Sequence, residues 1–211
     1  MIQAKLNSFG LGWAELIGLI TSFLFITGWC YAYAYFDIGL NADWLINLLT
    51  TKDLLFNNLR LGVCLIMAFL YFGLEWQENK IYDHKKLFWR ANIILAVLVF
   101  FWWIRDGISA IWEAVTYLIA FNAIYFIIYH ELMLKFIGSL LIFVVIPCIN
   151  GFIAYDRKIK SDLPVVEIMD ETKKWFLFDT YSDQAVLIDS TKKEKNIRIV
   201  PISDLVNIKV K

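Results

Sequence analysis

The chain has 211 residues, 60% of them hydrophobic and 17% aromatic, with a mean hydropathy of +0.60. A water-soluble domain cannot hide that much apolar surface, so the composition points to a protein solvated by lipid. Twenty Lys/Arg against twenty Asp/Glu leave no formal net charge, and without a basic excess direct DNA binding is not expected.

That balance averages two unlike regions. Residues 1–155 hold nine Lys/Arg, whereas residues 156–211 hold eleven Lys/Arg and ten Asp/Glu. The start does not read as a cleaved signal: only Lys5 precedes the first apolar run, which is longer than a signal-peptide core. Five apolar stretches follow, at 11–36, 54–76, 87–104, 108–129 and 132–155, each measured against the roughly 20 residues a span needs. The first, second and last are the clearest. The third is short but carries LAVLVFFWWI, and the fourth is interrupted by Ser109, Glu113, Thr116 and Asn122.

In the first stretch, Gly10, Ala14, Gly18 and Ser22 repeat at intervals of four. Such a small-residue ridge is expected to mark close helix packing or a pore seam. Glu15 stands beside it, either solvated at the interface or lining a polar path. Trp29, Tyr31, Tyr33 and Tyr35 would girdle the outer end of this helix. The loop 37–53 has one Lys against Asp37, Asp43 and Asp53 and reads as external. The loop 77–90, with Lys80, Lys85, Lys86 and Arg90, reads as cytoplasmic, as does the run Arg157, Lys158 and Lys160. Two cytoplasmic ends require an even number of crossings. The expectation is therefore an α-helical integral membrane protein of four transmembrane helices, with both termini on the cytoplasmic side of the inner membrane. Five crossings is the alternative. Pro147, close to Asn150 and Gly151, is expected to kink the last helix.

The pattern changes near residue 160, dividing a transmembrane region (1–158) from a cytoplasmic β-rich domain (159–211). Period-two segments predict strands at 164–169, 174–180, 185–189, 196–200 and 206–210. PISDL (201–205) suggests a single helical turn before the fifth. Five short strands with such a turn suggest a small SH3-like barrel, which is an architectural analogy and carries no function. So few residues make a thin core, so tails packing together in a homo-oligomer are expected. Lys173 and Lys174 flank Trp175; Lys192, Lys193 and Lys195 lead into Arg198; Tyr181 sits in a turn. Cations beside aromatic rings suit a ligand with phosphates and a base. The expected phosphate contacts are Lys173, Lys174, Lys193, Lys195 and Arg198, with Trp175 and Tyr181 as stacking residues. Lys-rich turns are also common solvated hairpin tips, and basic residues here could equally meet anionic headgroups.

Cys30, Cys64 and Cys148 show no zinc or disulfide spacing. The chain has no Walker loop, GxSxG, HExxH or EF-hand loop, and His84 and His130 lie far apart in sequence. The expectation is a protein that is not an enzyme and has no cofactor or metal. The layout of apolar helices followed by a short β-rich tail, with the first helix ending GWCYAYAYFDIGLN (28–41), resembles the membrane-bound effectors of type III CRISPR systems that respond to cyclic tetra-adenylate. It is also similar to the membrane component of the Kiwa antiphage system. The first resemblance implies antiviral defence. The tail would assemble as a tetramer and bind the cyclic oligoadenylate near its symmetry axis. Binding would open a pore or disrupt the membrane, with Gly10, Ala14, Glu15 and Gly18 as the gating seam. Two other readings stand beside it: a membrane scaffold whose tail recruits a cytoplasmic protein, and a small transporter with Glu15 and Glu113 in a polar path.

Overall fold

The computed structural model describes residues 12–78, 84–106, 108–168, 173–189 and 196–209. Gly10, Lys193 and Lys195 lie outside these. Apolar stretches with few breakers become α1 (Trp13–Tyr33), α3 (Leu59–Glu78), α4 (His84–Asp106) and α5 (Ile108–Tyr129). A short α2 (Thr51–Phe56) precedes α3. It starts at a capping box in which the Thr50 hydroxyl accepts from the Asp53 N–H and the Asp53 carboxylate accepts from the Thr50 N–H. The last apolar stretch is α6 (Leu132–Leu140), a π-turn (Leu141–Val145) and α7 (Ile146–Lys160). The interruption expected at Pro147 appears as that π-turn, with the proline in the first turn of α7. There its missing N–H costs least. A second π-turn, Ala34–Gly39, ends α1.

Among the described residues, three helices are long and apolar enough to cross a membrane: Ile17–Gly39, Ile111–Tyr129 and Leu132–Lys160. The apolar parts of α3 and α4 are shorter, Leu59–Phe72 and Phe88–Phe101. Contacts fix the directions. Arg60, Cys64 and Phe72 of α3 meet Glu113, Tyr117 and Tyr129 of α5, so those two run parallel. Phe88 and Asn92 of α4 meet Tyr125 and Asn122 of α5, so α4 runs opposite. Phe23 and Cys30 of α1 meet Phe143 and Cys148, so α1 runs with the last helix. Successive long helices of the described bundle therefore alternate in direction.

Helix α5 is the hub, packing on α3, α4, α6 and α7. Glu113, Thr116 and Asn122, which weaken it as a sequence signal, are bonded to its neighbours. The Asn122 and Asn92 amides exchange two hydrogen bonds at 2.8 Å each. The Thr116 hydroxyl lies 2.8 Å from Asn150 Oδ1. Lipid offers such groups no partners, so pairing them across helices satisfies them and fixes register.

The tail forms β1 (Val165–Ile168), β2 (Trp175–Tyr181), β3 (Gln184–Ile188), β4 (Ile197–Pro201) and β5 (Leu205–Lys209). A 3-10 turn, Ile202–Asp204, precedes β5. They make one antiparallel sheet in the order β4-β3-β2-β1-β5, curved as a half-barrel. Its concave core holds Val166, Ile168, Trp175, Ala185, Leu187 and Val200. Its other face carries Phe178, Val186 and Ile188 and packs on Tyr35, Phe36, Leu40, Leu45 and Leu54 of the helical region. The thin strand-rich core is thus covered on one face by the ends of its own helices.

This packing overturns one expectation. The segment 37–53, expected outside, and the tail, expected inside, lie at the same end of the bundle. The start of α1 and the tail are at opposite ends. An external segment 37–53 and a cytoplasmic tail do not fit this arrangement together.

Candidate functional site

Along β2, a bulge interrupts the pairing with β3 between Leu177 and Asp179. Regular alternation would point Asp179 and Tyr181 toward the concave core with Trp175. The extra residue, the fully buried Phe178, shifts the phase. Asp179 then pairs with Val186, on the helix-facing side. Its Oδ2 accepts from the Tyr35 hydroxyl of the α1 π-turn at 3.1 Å and from the Tyr181 hydroxyl at 2.9 Å. Lys158 Nζ of α7 lies 4.0 Å from Oδ1. One carboxylate thus ties the sheet to the ends of α1 and α7. Burial, and then the Asp179 charge beside it, push the Tyr181 phenol well above its ordinary value.

A cavity of about 240 Å³ sits at this joint, walled by Tyr35, Phe36, Lys158, Asp179 and Tyr181 among others. A second, of about 460 Å³, shares Tyr31, Asn57 and Ala154 with it and extends into the bundle end. Its wall holds an ion triad. Glu113 Oε1 accepts from Arg60 at 3.1 Å and Oε2 from Arg157 at 2.8 Å, while the Tyr117 hydroxyl donates to Oε1 at 3.3 Å. The same wall includes Asn58 and Asn150. Both are buried, with relative exposures of 5% and 8%, and neither Nδ2 has a hydrogen-bond partner. A further cleft, about 690 Å³ between α3, α4 and α5, is walled almost wholly by apolar side chains.

Of the described residues expected to form a nucleotide site, Lys173, Trp175 and Arg198 come together, and Tyr181 does not join them. Trp175 is 6% exposed, with Lys173 Nζ 4.7 Å from its ring centroid and Arg198 Cζ 6.0 Å away. Its ring is therefore part of the concave core, covered by cations, and offers no open face to a base. Lys173 also pairs with Asp189 at 2.9 Å. The Asn196 amide and Lys173 together hold the Asp189 carboxyl down at about 2. Lys174 is exposed. Tyr181 is the last residue of β2 rather than a turn residue, on the opposite sheet face from Trp175, with its ring 5.8 Å from Phe36. Trp175 and Tyr181 therefore cannot stack one base between them.

In the helical region, Ala14 and Glu15 are exposed, and a Cβ on Gly18 would meet nothing within 4 Å. The expected ridge makes no close approach within one chain. The close approaches fall at Gly28 and Gly151. Of the aromatic girdle, Trp29 and Tyr33 stack on each other facing outward, whereas Tyr35 turns inward to the sheet. Glu15 and Glu113 stand at opposite ends of the bundle. Asn58, Arg60 and Arg157 were not singled out as site residues by sequence reasoning. The only signal was their place at the ends of apolar runs. No protein-family model matches the chain, and neither a curated protein nor a solved structure matches it.

Proposed function

We propose that the protein is a membrane effector whose strand-rich tail reads a small ligand and passes the change to the helices that carry it. The observation behind this is the Asp179 joint, where one carboxylate bonds to α1 and β2 and faces Lys158 of α7. A ligand entering the adjoining cavity competes for Tyr35, Tyr181 or Lys158 and so acts directly on the ends of the first and last spans. Only a ligand that contacts two arrangements differently can shift their balance, and a joint built from a few polar contacts permits that.

In the reading carried by the resemblance to type III CRISPR effectors, the ligand is a cyclic oligoadenylate such as cyclic tetra-adenylate. The assembly is a homotetramer, and the output is a pore or a disrupted membrane in antiviral defence. The strand order, with its 3-10 turn before β5, supports an SH3-like tail. Arg157, Lys158 and Lys160 in the last turn of the final helix support a cytoplasmic tail, which puts the start of α1 on the other side of the inner membrane. The contact residues move accordingly, from the covered Trp175 to Tyr181, Lys158 and the exposed Lys174.

The test is a calorimetric titration of the full-length protein in detergent with cyclic tri-, tetra- and hexa-adenylate, paired with dye release from vesicles containing it. Saturable binding of one ring size that also triggers release is expected. Absence of heat and of release with all three rings would end the messenger reading.

A further inference from the structure

The larger of the two joined cavities has a chemistry of its own. Its charged wall residues are Arg60, Arg157 and Glu113, so it carries a net charge of +1. Its two unsatisfied buried atoms, Asn58 Nδ2 and Asn150 Nδ2, are both donors. A buried donor without an acceptor is costly, on the order of 1–3 kcal/mol, so the complement to this wall is a monoanion rich in acceptors. Each guanidinium donates to Glu113 and has further N–H groups to offer. Helix α3 begins at Leu59 in the same wall, adding the positive end of a 20-residue helix.

The depth of the cavity narrows the choice. Arg60 opens the apolar part of α3, Glu113 lies two residues into the span Ile111–Tyr129, and Arg157 is three residues from the end of Leu132–Lys160. This is the level at which headgroup phosphates lie. Tyr117 is common to the polar cavity and to the apolar cleft between α3, α4 and α5, so a charged head and an apolar tail would have adjoining places.

We propose that this cavity binds a phosphodiester monoanion, whose oxygens accept from the Asn58 and Asn150 amides and from the Arg60 and Arg157 guanidiniums. A glycerophospholipid supplies that group from the membrane, and a soluble phosphodiester supplies it from water. A cyclic oligoadenylate belongs to the second kind, so the inference touches the effector reading without depending on it.

The experiment uses delipidated full-length protein in a non-ionic detergent and follows its thermal unfolding midpoint. Four additions are compared: phosphatidylglycerol, diacylglycerol with the same chains, glycerophosphoglycerol and glycerate. A saturable rise with a phosphodiester, and none with diacylglycerol or glycerate, is expected. Arg60→Gln should raise the concentration needed about tenfold, the loss of one charge-assisted contact. The Arg60 side chain is 78% exposed, so this variant should fold. Asn58→Asp, which replaces a donor by a negative charge, should weaken the response further. A rise with phosphatidylglycerol alone assigns the site to lipid, and a rise with both phosphodiesters shows that the soluble group suffices. The proposal is overturned by no rise with either, by an equal rise with glycerate or diacylglycerol, or by variants that respond as the parent does. Its failure is distinct from that of the messenger reading, which is decided by the oligoadenylate titration.

Discussion

Gly28 and Gly151 show where single atoms decide the helix packing. A Cβ on Gly28 would stand 1.6 Å from the carbonyl oxygen of Leu54, and one on Gly151 would stand 2.2 Å from that of Tyr31. Both obstacles are backbone, so neither can swing aside, and each helix pair would have to separate. Gly28→Ala and Gly151→Ala should each cost about 3 kcal/mol, the upper range for overpacking. The readout is a fall of several degrees in the thermal unfolding midpoint in detergent. Gly18→Ala is the control: open space surrounds it, and alanine favours the helix, so its midpoint should hold or rise. An unchanged midpoint for Gly28→Ala would mean that α1 and α2 do not meet as described. The sequence draws attention to the wrong small residues here. The spacing of Gly10, Ala14 and Gly18 is regular, whereas the glycines that permit close approach are singletons opposite a partner's carbonyl. Spacing within one helix does not reveal what lies across from it.

The strands were the most legible elements. All five were expected within a residue or two of where they occur, because alternation such as Val206, Asn207, Ile208, Lys209 marks a half-buried sheet. What alternation cannot show is a change of phase. The bulge at Phe178 keeps β2 a strand yet swings Asp179 and Tyr181 to the helix side, the face opposite Trp175. The helix ends met by that face were equally hidden: Tyr35 reads as an interface aromatic until the sheet is in place. The joint can be measured. A double-mutant cycle with Tyr35→Phe and Asp179→Ala should return a coupling of about 2 kcal/mol, as for a hydrogen bond to a charged acceptor. A coupling of zero would detach the sheet from α1 at this point and remove the mechanical basis of the effector reading.

At the scale of the whole molecule, the apolar runs were read correctly as helices, but their direction was not, and the reason lies in how charge was counted. The segment 37–53 looked external because three acids outnumber one lysine, yet acids contribute little to topology. Here two of them have local work. Asp53 closes the capping box at Thr50, and Asp43 accepts from the Trp44 N–H. At the other end of the count, Arg157 is bound to Glu113, so part of the basic run after the last helix is a structural pair. With the acids set aside, the loop 37–53 no longer contradicts the tail that lies beside it. The remaining tension is between the basic residues at 80–90 and those at 157–160, which the alternating helices place at opposite ends. Cysteine labelling decides it. In a background with Cys30, Cys64 and Cys148 replaced, Lys85→Cys and Ser182→Cys sit on exposed positions at the two ends. A membrane-impermeant reagent applied to intact cells should modify one and spare the other. Protection of Lys85→Cys with modification of Ser182→Cys would put the tail outside and leave it out of reach of a cytoplasmic messenger. The opposite pattern would give the tail the cytoplasmic face that the effector reading needs. Equal modification of both would contradict the alternating bundle itself, since no odd number of crossings returns the chain to the side from which it started.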